Sequence, residues 1–131
     1  WQDVIWQLIS EDADEQGIMM HICTEEWDRG AALTYCGFSI RGDGYDGLWE
    51  NMYKKLETRS LDEIKADEGQ EEPLFRKIRE DGAKRELPLI VATIKEFAEG
   101  RVEIKDKRLY ANGKKLDGPY DLSKQVDASL E

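Results

Sequence analysis

The stretch Ile18-Met19-Met20-His21-Ile22-Cys23, with the polar run Thr24-Glu25-Glu26-Trp27-Asp28-Arg29-Gly30 and then Ala31 to Ile40, decides the fold of this sequence. Residues 18–23 are apolar on both alternating faces, which predicts a strand covered on both sides, because a half-exposed strand alternates apolar with polar. Ala31 to Ile40 predicts a second strand carrying Leu33, Tyr35 and Phe38, with Gly37 as a candidate bulge. The two strands flank one polar loop, so a hairpin is expected.

Upstream, Trp1, Val4, Ile5, Leu8 and Ile9 form one helical stripe that ends in the polar run Glu11 to Gly17. No capping residue precedes that stripe, which gives the expectation that an N-terminal part of the domain is absent from this chain. Downstream, Arg41-Gly42-Asp43-Gly44 is a turn, and Tyr45, Leu48, Trp49, Met52, Tyr53 and Leu56 predict the clearest helix. Ser60 to Gln70 reads as an acidic loop or short helical turn. Pro73 fits a helix's first turn beside Leu74, Phe75 and Ile78, Asp81-Gly82 reads as an interruption, and a second run (Leu87, Ile90, Val91, Ile94, Phe97, Ala98) stops at Gly100. Pro88 predicts a break or kink there. Val102–Ile104 and Arg108–Tyr110 predict a small hairpin about Asp106-Lys107, followed by the Asn112-Gly113 turn. From Leu116 the chain reads as a polar end that frays. The organisation is a single α/β domain over 1–115 with a polar tail over 116–131.

The 131 residues include 19 Lys+Arg and 29 Asp+Glu, a formal net charge of −10, with 40% hydrophobic and 37% charged residues. That composition excludes outright disorder and a membrane bundle. The longest apolar run, Leu87 to Ala92, is far short of the ~20 residues a bilayer span needs. Basic residues read as scattered among acids, as in Lys84-Arg85-Glu86 and Arg101-Val102-Glu103-Ile104-Lys105, so no nucleic acid and no membrane is expected as a partner. Cys23 and Cys36 lie in apolar stretches outside any CxxC or zinc spacing; they read as small core residues in a reducing, cytoplasmic setting, and whether they pair is open.

His21 is the single histidine. On a strand it shares a face with Met19 and Cys23, so one reading is a core histidine bonded to its loop. Asp28 has its own plain reading, a turn aspartate bonding the backbone two residues on. Together they point elsewhere: a His in the strand and an Asp just past it converge at the carboxyl edge of a sheet, where open α/β folds bind ligands. A carboxylate there can relay a proton for an attacking amine, and Gly30 lets the backbone turn beneath a ligand. No phosphate loop, Ser or Cys nucleophile with a base, or metal set accompanies them. The Tyr45, Trp49, Tyr53 stripe reads as core rather than a stacking platform, and the Glu68 to Glu72 acids as a solvated face unsuited to a metal.

The segment Met20-His21-Ile22-Cys23-Thr24-Glu25-Glu26-Trp27-Asp28-Arg29-Gly30-Ala31-Ala32 resembles the "vHxvxxxxDxGpvi" strand-loop-strand of the folate-dependent formyltransferases, the family that includes phosphoribosylglycinamide formyltransferase. Arg85-Glu86-Leu87-Pro88-Leu89-Ile90 through Phe97-Ala98-Glu99-Gly100-Arg101-Val102 is similar to that family's closing helix, "xxPlvixxfaeGrv", and Tyr110-Ala111-Asn112-Gly113 to its C-terminal strands. The blocks keep their order across nearly all of the chain.

The resemblance implies the C-terminal part of a formyltransferase-type, Rossmann-like fold: a short mixed sheet, flanking helices and a C-terminal β-hairpin. It implies transfer of a formyl group from 10-formyltetrahydrofolate to an amine, glycinamide ribonucleotide or a related purine-biosynthesis acceptor, without a metal. Asp28 corresponds to the catalytic aspartate, His21 to the histidine that orders it, and Thr24, Glu25, Glu26, Trp27 and Asp28 to the segment lining the pterin pocket. Two departures matter. The family's phosphate loop and its catalytic Asn and His have no counterpart here, so this chain alone is expected to be inactive and to self-associate as a homo-oligomer through an uncovered sheet edge. Ala83 stands where glycinamide ribonucleotide enzymes carry a ribose-binding Glu, with Glu80 and Glu86 nearby but out of register, which leaves the acceptor open. A formyltetrahydrofolate hydrolase, or an acidic inhibitor-like module that presents its charge to a basic protein, are the alternatives.

Overall fold

The computed structural model describes residues 2–21 and 32–130. Its described residues form an α/β protein of five helices and two three-stranded sheets: α1 (Gln2–Ser10), β1 (Glu15–Met20), β2 (Thr34–Ser39), α2 (Asp46–Thr58), α3 (Leu61–Glu68), α4 (Pro73–Ala98), β3 (Val102–Lys105), β4 (Arg108–Ala111), β5 (Lys114–Lys115), β6 (Tyr120–Asp121) and α5 (Ser123–Leu130). Two compact units emerge, Trp1–Gln16 with Phe38–Ala83, and Gly17–Gly37 with Lys84–Glu131.

In the first unit, α1 buries Ile5, Trp6 and Ile9, so the inward face turns on Trp6 rather than Val4, which is exposed. Trp6 stacks on Phe75 with centroids 4.8 Å apart. Tyr45, Trp49 and Met52 of the α2 stripe are buried as core, whereas Tyr53 and Leu56 at its far end are exposed, and the Trp49 indole N–H donates to the Ile40 carbonyl at 2.7 Å. Arg41 closes the turn before α2: its guanidinium lies 3.7 Å from the Trp49 ring centroid and donates to the Ala13 and Asp12 carbonyls, the Asp12 carboxylate and the Tyr53 hydroxyl. Tyr53 also donates to Asp12, and this bond together with Arg41 holds the Asp12 carboxyl below its usual range.

The acidic segment Ser60 to Gln70 is helical, not a loop. Ser60 and Glu63 make an S-x-x-E start in which the Ser60 hydroxyl accepts from the Glu63 N–H at 3.2 Å, and a 3-10 turn over Gly69–Glu71 follows. Of the Glu68 to Glu72 acids, Glu71 is solvated at 85% exposure, but Glu68 and Glu72 are not. Glu72 is 1% exposed; one carboxylate oxygen accepts the Leu74 and Phe75 N–H groups at the start of α4, and the other accepts from Lys55 at 3.0 Å. Glu68 bridges Lys55 and Arg59. Burial works against the Lys55 ammonium, but its two carboxylate hydrogen bonds outweigh this and raise its pKa.

Helix α4 runs through Asp81-Gly82 and Pro88 without ending. A helix-interior Gly costs about 1 kcal/mol relative to Ala, which neighbouring contacts offset: Tyr45 donates to Asp81, and Lys77 bridges Asp81 one turn away. The helix ends in a Schellman motif, with Gly100 at φ 75°, its N–H on the Phe97 carbonyl and the Arg101 N–H on Glu96.

In the second unit, the α4 stripe singled out by periodicity faces outward: Leu87, Ile90, Val91 and Ile94 are 67%, 41%, 58% and 59% exposed. Leu89, Thr93 and Glu96 turn inward instead. The Thr93 hydroxyl donates to the Leu89 carbonyl at 2.7 Å and so accepts from Thr34 at 2.8 Å, and Glu96 takes two bonds from Arg101. Leu89 packs with Cys36, Leu122 and Val126 in one cluster, while Leu33, Val102, Leu109 and Ala111 form another. Strands β3 and β4 pair antiparallel about Asp106-Lys107, both at positive φ, as a two-residue hairpin turn of the primed kind requires. From Leu116 onward the chain does not fray: β6 pairs parallel with β2, and α5 buries Val126 beneath a fully buried Leu122. Two anchor side chains in a polar run were too few for periodicity to register.

Candidate functional site

Strands β1 and β2 are joined at their two ends by the Leu33 N–H to Met20 carbonyl bond, 2.7 Å, and the Ile40 N–H to Asp14 carbonyl bond, 2.9 Å, so they run antiparallel. With β6 parallel to β2, the sheet is mixed, in the order β1-β2-β6. Strand β1 is covered on one face only. Gln16, Ile18 and Met20 turn inward, whereas Met19 is 57% exposed, which corrects the expectation of a strand buried on both sides. It also spans Glu15–Met20 rather than 18–23.

His21 follows the last residue of β1 directly and is exposed, so it is not a core histidine. Its imidazole lines a groove of about 410 Å3 with Ile18, Met19, Met20, Glu86, Leu89 and Ile90. The walls are apolar side chains of β1 and α4; the polar groups are one imidazole and one carboxylate. Both are groups that can carry a proton, the residue types general acid–base chemistry uses. Glu86 sits a helical turn before Leu89 and Ile90, and its α4 register carries it to the groove; the sequence marked it only as an acid near Ala83, out of register with the family's ribose-binding Glu.

Asp28, Thr24, Glu25, Glu26 and Trp27 lie outside the described residues, as does Cys23. Cys36 is a free, buried thiol whose pKa is pushed up by burial first and by Asp127 next, which makes it a poor nucleophile. Among the described residues no three His, Cys, Asp or Glu side chains gather as a metal site, and no helix is long and apolar enough to cross a membrane.

A larger hollow of about 560 Å3 lies between α4 and α5, lined by Leu87, Pro88, Val91, Ala92, Lys95, Glu96, Arg101, Gln125 and Ser129. It offers less chemistry than the groove at His21. Arg101 is held by Glu96 and Glu99, the Ser129 hydroxyl donates to the Val126 carbonyl, and no imidazole or thiol lines it. No protein-family model, no curated protein and no solved structure matches the chain.

Proposed function

We propose that this chain carries the strand-loop-strand and closing helix of a folate-dependent formyltransferase of Rossmann-like type. In this reading a formyl group passes from 10-formyltetrahydrofolate to an amine, Asp28 relays the proton, His21 orders Asp28, and Thr24 to Asp28 line the pterin site. The observation that carries the reading is His21: an exposed imidazole at the end of β1, on an apolar groove, where the chain begins its passage through Asp28 to β2. Glu86 in the same groove supports acid–base chemistry there.

The magnitudes limit what these residues do alone. A positioned acid–base group contributes about 10²–10⁴ in rate, or about 3–6 kcal/mol, whereas holding both reactants in place contributes roughly 7–11 kcal/mol. The sequence has one His, so in this reading the family's second His is not supplied by this chain, and the chain by itself is expected to be inactive. The same reading makes it self-associating when alone. The exposed Leu87, Ile90, Val91 and Ile94 and the edge of β1 that is unpaired among the described residues support that, and sizing by light scattering checks it, with monodisperse monomers counting against it.

The test adds a formyltransferase N-terminal half carrying an Asn-x-His motif and follows tetrahydrofolate release from 10-formyltetrahydrofolate in the presence of an amine. Asp28→Asn is expected to lower the rate about 10²–10⁴-fold. An undiminished rate removes the assigned role. Formate in place of formylated amine converts the assignment to the hydrolase. Salt-sensitive capture of a basic protein without folate binding converts it to the acidic module.

A further inference from the structure

The hairpin region Val102–Lys115 holds five Lys or Arg residues and two acids, in a chain whose formal net charge is −10. Linear sequence disperses them; strand register collects them. Lys105 stands directly opposite Arg108, and Lys115 opposite Tyr110, while Lys107 occupies the turn and Lys114 pairs with Ala111. Since Arg108 and Tyr110 share one side of β4, Lys105, Arg108 and Lys115 emerge on the same face, opposite the one on which Leu109 and Ala111 are buried. Lys105 has Glu103 at 3.5 Å. Among the described residues, Lys107, Arg108, Lys114 and Lys115 have no carboxylate within ion-pair distance.

Like charges directly opposite across an antiparallel pair destabilise it, and Lys105 with Arg108 is such a pair. Glu103 offsets part of that charge at Lys105, which leaves Lys107, Arg108 and Lys115 as a concentration of positive charge that an anion would relieve. Beside it is a concavity of about 220 Å3, lined by Lys107, Arg108, Lys115, Leu116, Asp117 and Pro119 among others. Three of these side chains are cations and one is an acid. Its size and mixed lining suit a phosphate group with a small apolar attachment. An extended polyanion is disfavoured by the chain's formal net charge of −10.

We propose that this concavity at the end of the β3–β5 sheet is a binding site for a phosphate group, either free or as a small monoester. Arg108 and Lys115 grip the oxygens, Lys107 adds a third positive charge, and Leu116 and Pro119 face the ester body. The site is independent of the groove at His21.

The experiment is a 15N-resolved NMR titration of the full chain with inorganic phosphate and with phenyl phosphate, against sodium chloride at equal ionic strength. Saturable shifts of Lys107, Arg108 and Lys115 with the phosphates and not with chloride are expected. The double variant Arg108→Gln, Lys115→Gln should weaken binding by about tenfold or more. Because it removes repulsion, it should keep its fold, and the Asn112 and Gly113 resonances report that directly. Equal affinity for the two phosphates assigns the free ion, and tighter phenyl phosphate assigns the ester. Shifts reproduced by chloride, or unchanged affinity in the double variant, overturn the proposal. Saturation by a single-stranded oligonucleotide where inorganic phosphate gives none overturns it in favour of a polyanion surface.

Discussion

Removing the Glu72 carboxylate tests how α4 is anchored. Glu72 is 1% exposed and does two things: one oxygen accepts the Leu74 and Phe75 N–H groups at 2.7 and 3.0 Å, and the other accepts from Lys55 at 3.0 Å. Glu72→Ala leaves two N–H groups at a helix start without their acceptor, a loss of about 0.5–2 kcal/mol for a capping side chain. It also strips a buried ion pair of one partner, which costs about 3–5 kcal/mol when the survivor is left uncompensated. Lys55 keeps Glu68 and is itself 21% exposed, so this second contribution is reduced. The sum is about 2–4 kcal/mol, against a total stability of about 5–15 kcal/mol. Glu72→Gln keeps an oxygen that can accept both N–H groups and loses only the charge, so it should cost about 1–2 kcal/mol. Urea unfolding followed by the fluorescence of Trp6 and Trp49 and by far-ultraviolet dichroism measures both variants, with a Lys55→Met double-mutant cycle isolating the pair. A Glu72→Ala protein within about 0.5 kcal/mol of the parent, the range of an ordinary surface change, refutes the capping role.

Acid should destabilise the fold in a defined window. Glu68 is held low by Lys55 and Arg59, Asp121 by the Ser123 hydroxyl, and Asp12 by Tyr53 and Arg41. Carboxyls with depressed folded values contribute stability that is fully present above their unfolded pKa of about 4 and lost as pH falls through the folded values. The urea midpoint should therefore stay level from neutral pH to about 5 and drop below about 4; a midpoint unchanged at pH 3 contradicts this. Lys107 sits at φ 64°, so Lys107→Gly should stabilise the β3–β4 hairpin by about 1 kcal/mol in chloride buffer, and thermal denaturation reads the gain. In a Cys23→Ser protein, Cys36 should resist iodoacetamide until urea unfolds the chain; alkylation of the native protein at the unfolded rate would show that the thiol is not sealed in its cluster.

The elements written as strong local patterns were legible from sequence. The α2 stripe about Trp49, Pro73 at the start of α4, Gly100 at its end and the turn at Asp106-Lys107 each rest on one residue's own geometry. What escaped depended on partners distant along the chain. Periodicity marks the apolar side of α4 without saying whether anything covers it, and Leu87, Ile90, Val91 and Ile94 face solvent while Thr93 and Glu96 turn in on Thr34 and Arg101. Ser60 to Glu68 was hidden by its acidity, although the Ser60 and Glu63 spacing carried the helix-start signal. His21 was legible as a candidate by residue type, while its exposure goes with its place just past the end of β1, which the sequence had run on to residue 23. Glu86 needed the α4 register, and the hairpin cations needed cross-strand pairing.

Neither compact unit is a continuous piece of polypeptide. The backbone passes from one to the other after Gln16, Gly37 and Ala83, and every passage falls within a regular element: β1, β2 or α4. Limited proteolysis thus finds no boundary loop to nick between the units, and cutting the gene at any one passage divides at least one unit between the two fragments. Trp6 meets Phe75 and Thr34 meets Thr93 only after long stretches of intervening chain have closed, so consolidation waits on distant encounters and cannot begin at these contacts until α4 has emerged from the ribosome.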